Sequence, residues 1–371
     1  MPIRILCVLA VLDRGGAETM CMNLYRQIDR AKVQFDFVKH TSSKGAYEDE
    51  IRSLGGRIFE APRYKLYNIF QYKKWWRAFF KVHPEYKIIH GHFFTISNVY
   101  FKVAHEFGLH TIGHSHSEKA NYHSLKYWLK KQSIRWIEKE SDTCFACSQA
   151  AGEYLFPHKT FKVIHNAIDS KKFAWNEAEA VAVRRELSIE PEKMVIGVCG
   201  RFSAQKNPFG ILDIFHAIHE KNRETVLLWI GDGEMRQQIE QRIQQLSLKD
   251  SVLLTSVRAD VHRMMQAMDV FILPSLWEGL AVVSVEAQAA GIPCYFGDTV
   301  TRESAITDLV QFLPISAPEV WAEKILSDKQ GRKNTTQMII DAGYDIAKSA
   351  QWLEQFYLDI NENIALQRGK A

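Results

Sequence analysis

Short apolar runs alternate with longer amphipathic stretches along almost the whole of this 371-residue chain. The runs are rich in Val and Ile, which is typical of strands buried on both faces of a sheet. The stretches between them carry apolar residues at helical spacing. The pattern therefore predicts strand–helix–strand units with right-handed crossovers and parallel sheets, and so an α/β fold.

The predicted strands form two series, one in each half of the chain. In the first half they are Ile3–Ala10, Val33–Val38, Lys87–His90, Thr111–His114, Thr143–Cys147 and Lys162–Ile164. In the second half they are Met194–Cys199, Val226–Ile230, Ser251–Leu254, Val270–Leu273 and Cys294–Phe296. The polar stretch Ser170–Pro191 between them is interpreted as an inter-domain connection. We predict an N-terminal domain of residues 1–170 with about 350–371, and a C-terminal domain of residues 171–349.

Charge is divided unevenly between the halves. Residues 1–170 contain 25 Lys and Arg against 16 Asp and Glu, whereas residues 171–371 contain 22 against 27. The basic half suggests an anionic partner, although no nucleic-acid partner is expected. In this half Tyr64–Lys87 interleaves cations with Phe and Trp, and Lys119–Lys139 is a second such stretch. Each favours either an interfacial helix on an anionic membrane or a core-packing helix with solvated cations.

The N-terminal and cysteine patterns indicate a cytoplasmic protein. Met1–Ala10 is predicted to be a strand and not a signal peptide, and no uncharged apolar stretch approaches the roughly 18 residues of a membrane span. The six cysteines lie mostly in apolar runs, as expected of buried thiols in a reducing compartment. Cys144 and Cys147 form one C-x-x-C without a second ligand pair, so a zinc site is not predicted and a redox motif is the weaker alternative.

A glycine-containing turn follows the first predicted strand. It reads Asp13-Arg-Gly-Gly-Ala-Glu18, and Gly15 and Gly16 open a helix there. Free N–H groups at a helix start attract anions, but tight strand-to-helix turns use glycine in any case. The turn is not G-x-G-x-x-G, which disfavours an NAD dehydrogenase.

Two cations lie on the loop Gly200–Pro208, after the first strand of the second series. Arg201 offers a bidentate fork to phosphate and Lys206 a mobile point charge. Loops at the carboxyl ends of parallel strands are where such folds bind ligands. The alternative is a pair of solvated surface cations.

Two glutamates lie seven residues apart within Pro274–Pro293. Glu278 follows a predicted strand, and Glu286 lies on a predicted helix, Val282–Ala290, among alanines and valines. A carboxylate in an apolar setting needs a polar partner, and a sugar diol could supply two hydrogen bonds. The alternatives are helix capping for Glu278 and a solvated helix face for Glu286.

Histidines alternate at the ends of two predicted strands. His114 and His116 are two positions apart, and His90 and His92 have the same separation one strand earlier. Histidine can donate to a sugar or a phosphate, act as acid or base, or pair on a metal. No carboxylate with ligand spacing accompanies them, so a structural role is the stronger alternative and metal the weaker one.

These motifs resemble, in this order, those of the retaining glycosyltransferase family 4. Its members have the GT-B fold, two Rossmann-like domains with parallel sheets facing across a cleft. The segment from Glu278 to Glu286 is similar to the family's most specific motif. Gly200–Pro208 resembles its diphosphate-binding loop and Asp13–Glu18 its N-terminal glycine loop, and Asn166–Asp169 fits the same order. The pattern is most similar to bacterial enzymes of exopolysaccharide and capsule assembly.

The resemblance implies a donor site in the second half. Arg201 and Lys206 would neutralise the diphosphate, and Glu286 would hold the ribose hydroxyls. Glu278 would contact the donor sugar. The backbone amides of the next two residues, Gly279 and Leu280, would contact the sugar or the phosphate.

The resemblance also implies contributions from the first half, and the chain departs from the family at two positions. Gly15 and Gly16 would close on the phosphates, and His116 would lie near the reacting sugar. Ala281 stands where the family usually has proline, and Ala167 where it usually has glycine. The second departure weakens any expectation of positive φ in that turn.

The expected reaction moves a hexose or N-acetylhexosamine, with retention, from a nucleotide-sugar, first of all a UDP-sugar. The acceptor would be a saccharide or a lipid-linked saccharide at the cytoplasmic face of the membrane. No cofactor or obligatory metal is expected, because cations would stabilise the leaving diphosphate and no Asp-x-Asp element accompanies either phosphate loop. The rival interpretations are a nucleotide-sugar 2-epimerase of the same architecture and a non-catalytic, nucleotide-sugar-binding partner subunit.

Overall fold

A computed structural model of the chain describes residues 1–92, 96–116 and 134–368. Two compact units make up the chain. The first consists of Met1–Ala167 and Ile346–Ala371, and the second of Ile168–Asp345. Each limit lies a few residues before the one proposed from the sequence.

The first unit is built on a seven-stranded sheet of order β3-β2-β1-β4-β5-β6-β7, with parallel pairing throughout. Its strands are β1 Ile3–Val8, β2 Val33–Lys39, β3 Ile58–Glu60, β4 Ile88–Gly91, β5 His110–Ser115, β6 Thr143–Ala146 and β7 Lys162–Val163. Its helices are α1 Gly16–Gln27, α2 Glu48–Ser53, α3 Ile69–Val82, α4 Ser97–Glu106, α5 (described over 134–140), α6 Gln149–Leu155 and α15 Ile346–Arg368. A 3₁₀ turn, Leu66–Asn68, precedes α3.

The C-terminal helix α15 completes the core of the first unit. Leu353 and Tyr357 are buried in the same apolar cluster as Phe35 of β2. The ring of Tyr357 packs edge-on against Phe35, with 5.9 Å between centroids. The last 23-residue helix therefore packs on the N-terminal unit, the domain to which the sequence analysis assigns residues from about 350 onward.

The second unit is built on a six-stranded parallel sheet of order β10-β9-β8-β11-β12-β13. Its strands are β8 Met194–Cys199, β9 Thr225–Ile230, β10 Val252–Leu254, β11 Val270–Leu273, β12 Cys294–Gly297 and β13 Val310–Leu313. Its helices are α7 Ser170–Phe173, α8 Glu177–Glu186, α9 Pro208–Lys221, α10 Arg236–Gln245, α11 Val261–Met264, α12 Val282–Ala289, α13 Pro318–Ser327 and α14 Thr336–Asp341. The 3₁₀ turns are Ala204–Lys206, Met265–Ala267 and Arg302–Ser304.

The stretch Ser170–Pro191 is part of the second unit, and its interpretation as a connection was wrong. Val183 on α8 and Ile189 after it are buried in that unit's core. The rest of α8 is mostly exposed, which is why the segment looks polar in the sequence. Ala180 and Val183 lie three residues apart on α8 and are both buried, and two apolar residues at helical spacing are enough to fix such a helix to a sheet.

Two strands, β3 and β13, are absent from the sequence prediction. Each has only three or four residues, and none of these is fully buried. Both lie at an edge of their sheet, where a strand has a neighbour on one side only. Short half-exposed edge strands lack the continuous apolar run by which buried strands are found.

The strand order places a topological switch point in each sheet. The order reverses between β1 and β4 in the first unit and between β8 and β11 in the second. Loops that follow these strands leave the carboxyl edge in opposite directions and open a crevice, where α/β proteins bind ligands. The predicted site residues follow β8 and β11 in the second unit, and β1, β4 and β5 in the first.

Candidate active site

The loop after β8 is held by the first turn of α9. Asn207 adopts positive φ (56°), and its side-chain oxygen accepts a hydrogen bond from the Gly210 amide (3.3 Å). Pro208 occupies the first helical position, where its missing N–H costs nothing. The same Asn207 side chain donates to the Pro274 carbonyl (3.1 Å), and the Leu276 amide donates to the Gln205 carbonyl (2.9 Å). The loops after β8 and β11 therefore form one rigid assembly.

Lys206 and Glu278 meet within this assembly. Their Nζ and Oε2 atoms are 2.5 Å apart, and the side chains are only 18% and 12% exposed. The Gln205 amide donates to the other carboxylate oxygen of Glu278 (3.3 Å) and to the Trp277 carbonyl (3.1 Å). The structure thus brings together the cation and the carboxylate that the sequence assigned to diphosphate and sugar. Gln205, which the sequence reasoning did not single out, orients the carboxylate.

Glu286 lies on α12, one helical turn after its start. Among the described residues no hydrogen bond or ion pair reaches its half-buried carboxylate, and burial raises its pKa to about 7. It lies near Cys199 at the end of β8, where burial first and then the Glu286 charge raise the thiol pKa to about 12. A desolvated carboxylate without a partner is a strong acceptor for hydroxyl donors. Gly279 and Leu280 join Glu278 to α12, whose N-cap, Ala281, offers no side-chain cap.

Arg201 is separate from this cluster. Its Nε donates to Glu234 (3.1 Å), and its side chain is 73% exposed. Glu234 follows β9, after Gly231 and Gly233. Side chains at these glycines would collide with backbone atoms of the loop after β8, within 2.0 Å and 2.5 Å. The Gly-x-Gly pattern after β9 was the available sequence signal for this second supporting loop.

The glycine turn of the first unit begins α1 but carries an acidic group of its own. Gly15 is the N-cap of α1 and has no side-chain cap, and a Cβ on Gly16 would meet open space. A Cβ on Gly15 would lie 2.3 Å from the Glu18 carboxylate. Burial raises the pKa of Glu18, with the nearby Asp13 adding to the effect. A phosphate bound at this turn would therefore have to displace Glu18.

Four imidazoles stack at the switch point of the first sheet. His90 and His92 come from the end of β4, and His114 and His116 from the end of β5. Ring centroids of successive neighbours lie 4.2–5.2 Å apart. Burial lowers the pKa of His90 to about 3 and that of His116 to about 4, and it holds those of the other two well below the usual value. All four are therefore neutral near pH 7.

Nitrogen atoms of three of these histidines lie within 4.8 Å of one another, those of His90, His92 and His114. That spacing is compatible with a transition-metal site. Yet His90 Nε2 and His114 Nδ1 are hydrogen-bonded at 3.1 Å, so a lone pair of one points at the other and not at a shared centre. The geometry favours a hydrogen-bonded cluster. The turn Asn166–Asp169, which follows β7, has no positive φ, as Ala167 requires.

Comparison with known proteins identifies the chain. Residues 14–172 match the family described as Glycosyltransferase Family 4, and residues 182–344 match Glycosyl transferases group 1. The protein named "Putative glycosyltransferase EpsF" from Bacillus subtilis (strain 168) is 32% identical over 369 residues, which cover 95% of this chain and 96% of that protein. This chain belongs to the glycosyltransferases. The Escherichia coli UDP-Gal:alpha-D-GlcNAc-diphosphoundecaprenol alpha-1,3-galactosyltransferase is 29% identical over 260 residues, or 67% of this chain and 66% of that one.

The fold of this glycosyltransferase is GT-B, as predicted. The crystal structure of Anabaena Alr3699/HepE in complex with UDP superposes with a TM-score of 0.71 at 18% identity, over the full length of both chains. Both parallel sheets and the order of the motifs agree with that architecture.

A large cavity lies at the carboxyl edge of the glycosyltransferase's first sheet. Its volume is about 1140 Å³, and the segments after β1, β2 and β3 supply much of its wall. Polar and aromatic side chains line it, including His40, Glu60, Arg63, Tyr64 and Trp75. Such a mixture suits a saccharide, since aromatic faces can cover the sugar ring while polar groups meet its hydroxyls.

The cationic and aromatic stretch Tyr64–Lys87 divides between core and surface. Its buried aromatic residues pack in the first unit's core, namely Tyr72, Trp76, Phe79, Phe80 and Tyr86. Tyr67 and Phe70 are 79% and 84% exposed, next to the exposed Lys65 and Lys74. Most of the second stretch, Lys119–Lys139, lies outside the described residues. Among the described residues, no helix is long and apolar enough to cross a membrane.

Proposed function

We propose that this glycosyltransferase moves a hexose or N-acetylhexosamine from a nucleotide-sugar, with UDP-sugars as the first candidates. The acceptor is a saccharide or lipid-linked saccharide of surface polysaccharide assembly. The E. coli relative is named for a UDP-sugar donor and a diphosphoundecaprenol-linked acceptor, and HepE was crystallised with UDP. These names supply the donor and acceptor classes of the proposal.

One observation carries the proposal: Lys206, in contact with Glu278, and the unpartnered carboxylate of Glu286 both lie near Cys199 at the end of β8. A half-buried cation at a sheet's carboxyl edge can meet a diphosphate, and its partner Glu278 can turn to a sugar hydroxyl. Glu286 can accept two hydrogen bonds from a vicinal diol, such as that of ribose. A nucleotide-sugar presents all three groups in one molecule.

In the proposed reaction the bond between the anomeric carbon and the diphosphate oxygen breaks as the acceptor oxygen bonds to that carbon. The acceptor attacks from the face that the diphosphate leaves, and a phosphate oxygen takes the acceptor's proton. Lys206, with Arg201 nearer to solvent, stabilises the charge that develops on the diphosphate. The anomeric configuration is therefore retained. Product NMR tests this, since a β-linked product from an α-linked donor would exclude it.

The proposal includes no cofactor and no obligatory metal. Lys206 supplies the positive charge of the cluster, the exposed Arg201 lies outside it, and the Glu278 carboxylate is already paired with the lysine. We expect transfer to continue at an undiminished rate when a chelator is added. Loss of activity that Mg²⁺ or Mn²⁺ restores would contradict this part.

Two alternative functions, a 2-epimerase and a non-catalytic partner subunit, would use the same donor-binding residues but differ in what is turned over. A 2-epimerase converts a nucleotide-sugar without an acceptor, whereas a partner subunit binds the donor without turnover. The first experiment is therefore a screen of UDP-, GDP- and ADP-sugars for thermal stabilisation. Product analysis with and without saccharide acceptors follows. Transfer that depends on an acceptor supports the proposal, conversion of donor alone favours the epimerase, and binding without turnover favours the subunit.

We also propose that the protein works at the cytoplasmic face of the membrane, through the exposed pair Tyr67 and Phe70. Amphipathic surfaces of this kind bury aromatic side chains among headgroups, and each nearby cation adds about 1 kcal/mol on anionic lipid. Arg77, a cation of the same stretch, is less suited to a test of membrane binding, because its side chain forms an ion pair with Glu106 (2.6 Å). We expect Tyr67→Ser with Phe70→Ser to abolish co-sedimentation with phosphatidylglycerol vesicles.

The matched control for this surface is Val257→Ser, which removes an exposed apolar side chain from the second unit. It should leave vesicle binding unchanged. Full binding by the Tyr67 and Phe70 double variant would remove the membrane from the proposal and leave the reaction untouched.

A further inference from the structure

Two hydrogen-bonded chains run through the histidine cluster of the first unit, and each begins at a buried donor. In one chain, the Tyr357 hydroxyl of α15 lies 2.6 Å from His90 Nδ1, and His90 Nε2 lies 3.1 Å from His114 Nδ1. In the other, Cys21 Sγ of α1 lies 3.1 Å from His92 Nε2, and His92 Nδ1 lies 2.8 Å from His116 Nε2.

Each chain ends at a buried ring nitrogen without a partner among the described residues. These atoms are His114 Nε2 and His116 Nδ1. Their rings stack with 4.4 Å between centroids at the carboxyl edge of the sheet. Every other ring nitrogen of the four histidines takes part in a hydrogen bond.

The tautomers along a chain are coupled. A neutral imidazole has one N–H, so the choice at one end fixes the choice at the other. If Tyr357 accepted from His90, its own hydroxyl proton would have no acceptor among the described residues, and leaving a buried donor unsatisfied is unfavourable. Tyr357 therefore donates, His90 then donates through Nε2, and His114 is left with its proton on the outer nitrogen, Nε2.

The same reasoning applies to the second chain with a weaker donor. Burial raises the pKa of Cys21 well above its usual value, so the thiol keeps its proton. When that S–H donates to His92 Nε2, the His92 Nδ1–H donates to His116, whose proton lies on Nδ1. Two neighbouring imidazoles then present N–H groups side by side.

We propose that Tyr357 and Cys21 are positioning residues, which hold His114 and His116 as neutral N–H donors to oxygen atoms of the saccharide substrate. The choice of a saccharide oxygen rests on the proposed function, whereas the tautomers do not. Neutral donors bind hydroxyl or phosphate oxygens and release no proton, so this cluster orients a ligand and does not supply an acid.

The first test reads the tautomers directly, by long-range ¹H–¹⁵N correlation on the full-length chain labelled with ¹⁵N-histidine. Single His→Gln variants would assign the signals. We expect His90 and His114 as Nε2–H and His92 and His116 as Nδ1–H, all neutral at pH 7. An imidazolium, or a proton on His114 Nδ1, would overturn the proposal. So would about one equivalent of zinc or copper in the purified protein, because the nitrogens would then be metal ligands.

The second test changes the donors while keeping their shape. Tyr357→Phe should allow His90 and His114 to exchange tautomers, and Cys21→Ala should do the same for His92 and His116. Cys21→Ser restores a hydrogen-bond donor and should restore the wild-type spectrum. The control is Tyr25→Phe, which removes another buried hydroxyl that packs on Phe35 but bonds to the Leu54 carbonyl. Unchanged spectra in Tyr357→Phe and Cys21→Ala would contradict the assignment.

The third test identifies the oxygen. UDP alone, UDP-glucose, UDP-galactose, UDP-N-acetylglucosamine and a free saccharide acceptor are added to labelled protein in turn. A shift of the His114 and His116 N–H signals with a sugar-bearing ligand but not with UDP supports a saccharide contact, whereas a shift with UDP alone overturns it in favour of phosphate. Tyr357→Phe should lower kcat/KM for transfer about three- to tenfold, the effect of one neutral hydrogen bond, and Tyr25→Phe should not. If no ligand were turned over, the tautomers would still be testable.

Discussion

Imidazole side chains lie at the carboxyl edge of the first unit's sheet, whereas charged side chains lie at the carboxyl edge of the second unit's sheet. In the first, four histidines share hydrogen bonds and are neutral because burial lowers their pKa values. In the second, Lys206 and Glu278 form a close ion pair, and burial raises the pKa of Glu286 to about 7.

This difference follows from how each edge is solvated. Taking a charge out of water requires a partner or a proton, so the second unit pairs its lysine with a carboxylate and raises the pKa of the carboxylate that lacks one. The first unit avoids the cost by using groups that are neutral at pH 7. A charged edge is suited to an anionic ligand and a neutral edge to hydroxyl groups. The experiments below test that contrast, from the largest expected effect to the smallest.

Removing the paired lysine should have the largest effect. Lys206→Ala takes away the half-buried cation and leaves Glu278 without its partner. We expect kcat to fall about 10²–10³-fold, the scale seen when a preorganised electrostatic donor is lost. Lys249→Ala, at an exposed site of the same unit, is the control for lost charge. A fall of less than threefold would place Lys206 outside the reaction.

Glu286 should make nucleotide binding depend on pH. Its pKa is raised to about 7, so the carboxylate that accepts hydroxyl groups is abundant only above that pH. We expect UDP affinity to increase as the pH rises from 6 to 8, and to be about tenfold or more lower in Glu286→Gln at pH 8, since hydrogen bonds to charged groups are worth about 1.5–3 kcal/mol. Calorimetric titration at both pH values measures it. A parallel pH dependence in the variant would contradict the assignment.

The histidine edge should give no such pH dependence. His116→Ala is expected to lower kcat/KM about tenfold, by the loss of one donor to substrate. Because burial lowers the pKa of His116 to about 4, its imidazole does not titrate between pH 6 and 8, and the ratio of wild-type to variant activity should be constant over that range. A ratio that changes as the pH crosses 6.5 would show that the cluster ionises.

Arg201 should matter much less than Lys206. Its guanidinium is mostly exposed and already paired with Glu234, where water and salt weaken its field. We expect Arg201→Ala to lower kcat/KM about two- to fivefold, with a smaller loss at high salt. A loss as large as that of Lys206→Ala would mean that Arg201 leaves Glu234 and binds the diphosphate in the complex.

The final expected effect is on stability and not on the reaction. The folded-state pKa of Glu286 lies above its ordinary value, so the group's ionisation opposes folding. The wild type should lose stability relative to Glu286→Gln as the pH rises from about 4.5 through 7. At pH 8, without ligand, the variant should be more stable by about 1–3 kcal/mol, and near pH 4 the two should agree. Urea unfolding at both pH values tests this, and equal stabilities at pH 8 would show that Glu286 has a partner.

The sequence predicted elements with strong local signals. Buried strands such as β8 and β11 have continuous apolar runs, and β8 was placed with its observed bounds. The half-exposed β3 and β13 carry no such run, and only Ala180 and Val183 are buried on α8. The strands β3 and β13 form because each pairs with a neighbouring strand, and such pairing cannot be predicted from a short stretch of sequence.

Candidate site residues could be singled out from the sequence when their pattern lay in one segment. The spacing of Glu278 and Glu286, and the cation at Lys206, were visible in the sequence. Which partner each side chain selects was not, because that depends on contacts between distant segments. Arg201 pairs with Glu234, 33 residues away, and His90 meets Tyr357, 267 residues away. No sequence motif predicts either contact.

The return of α15 to the first unit has a consequence for biosynthesis. During translation the second unit, Ile168–Asp345, has its whole sequence available before the residues that finish the first unit's core emerge from the ribosome. Until α15 is synthesised, the apolar face that it covers in the first unit remains exposed, and His90 lacks its hydrogen bond to the Tyr357 hydroxyl. A fragment ending at residue 167 should therefore be prone to aggregate, and supplying the last helix as a separate peptide should rescue it.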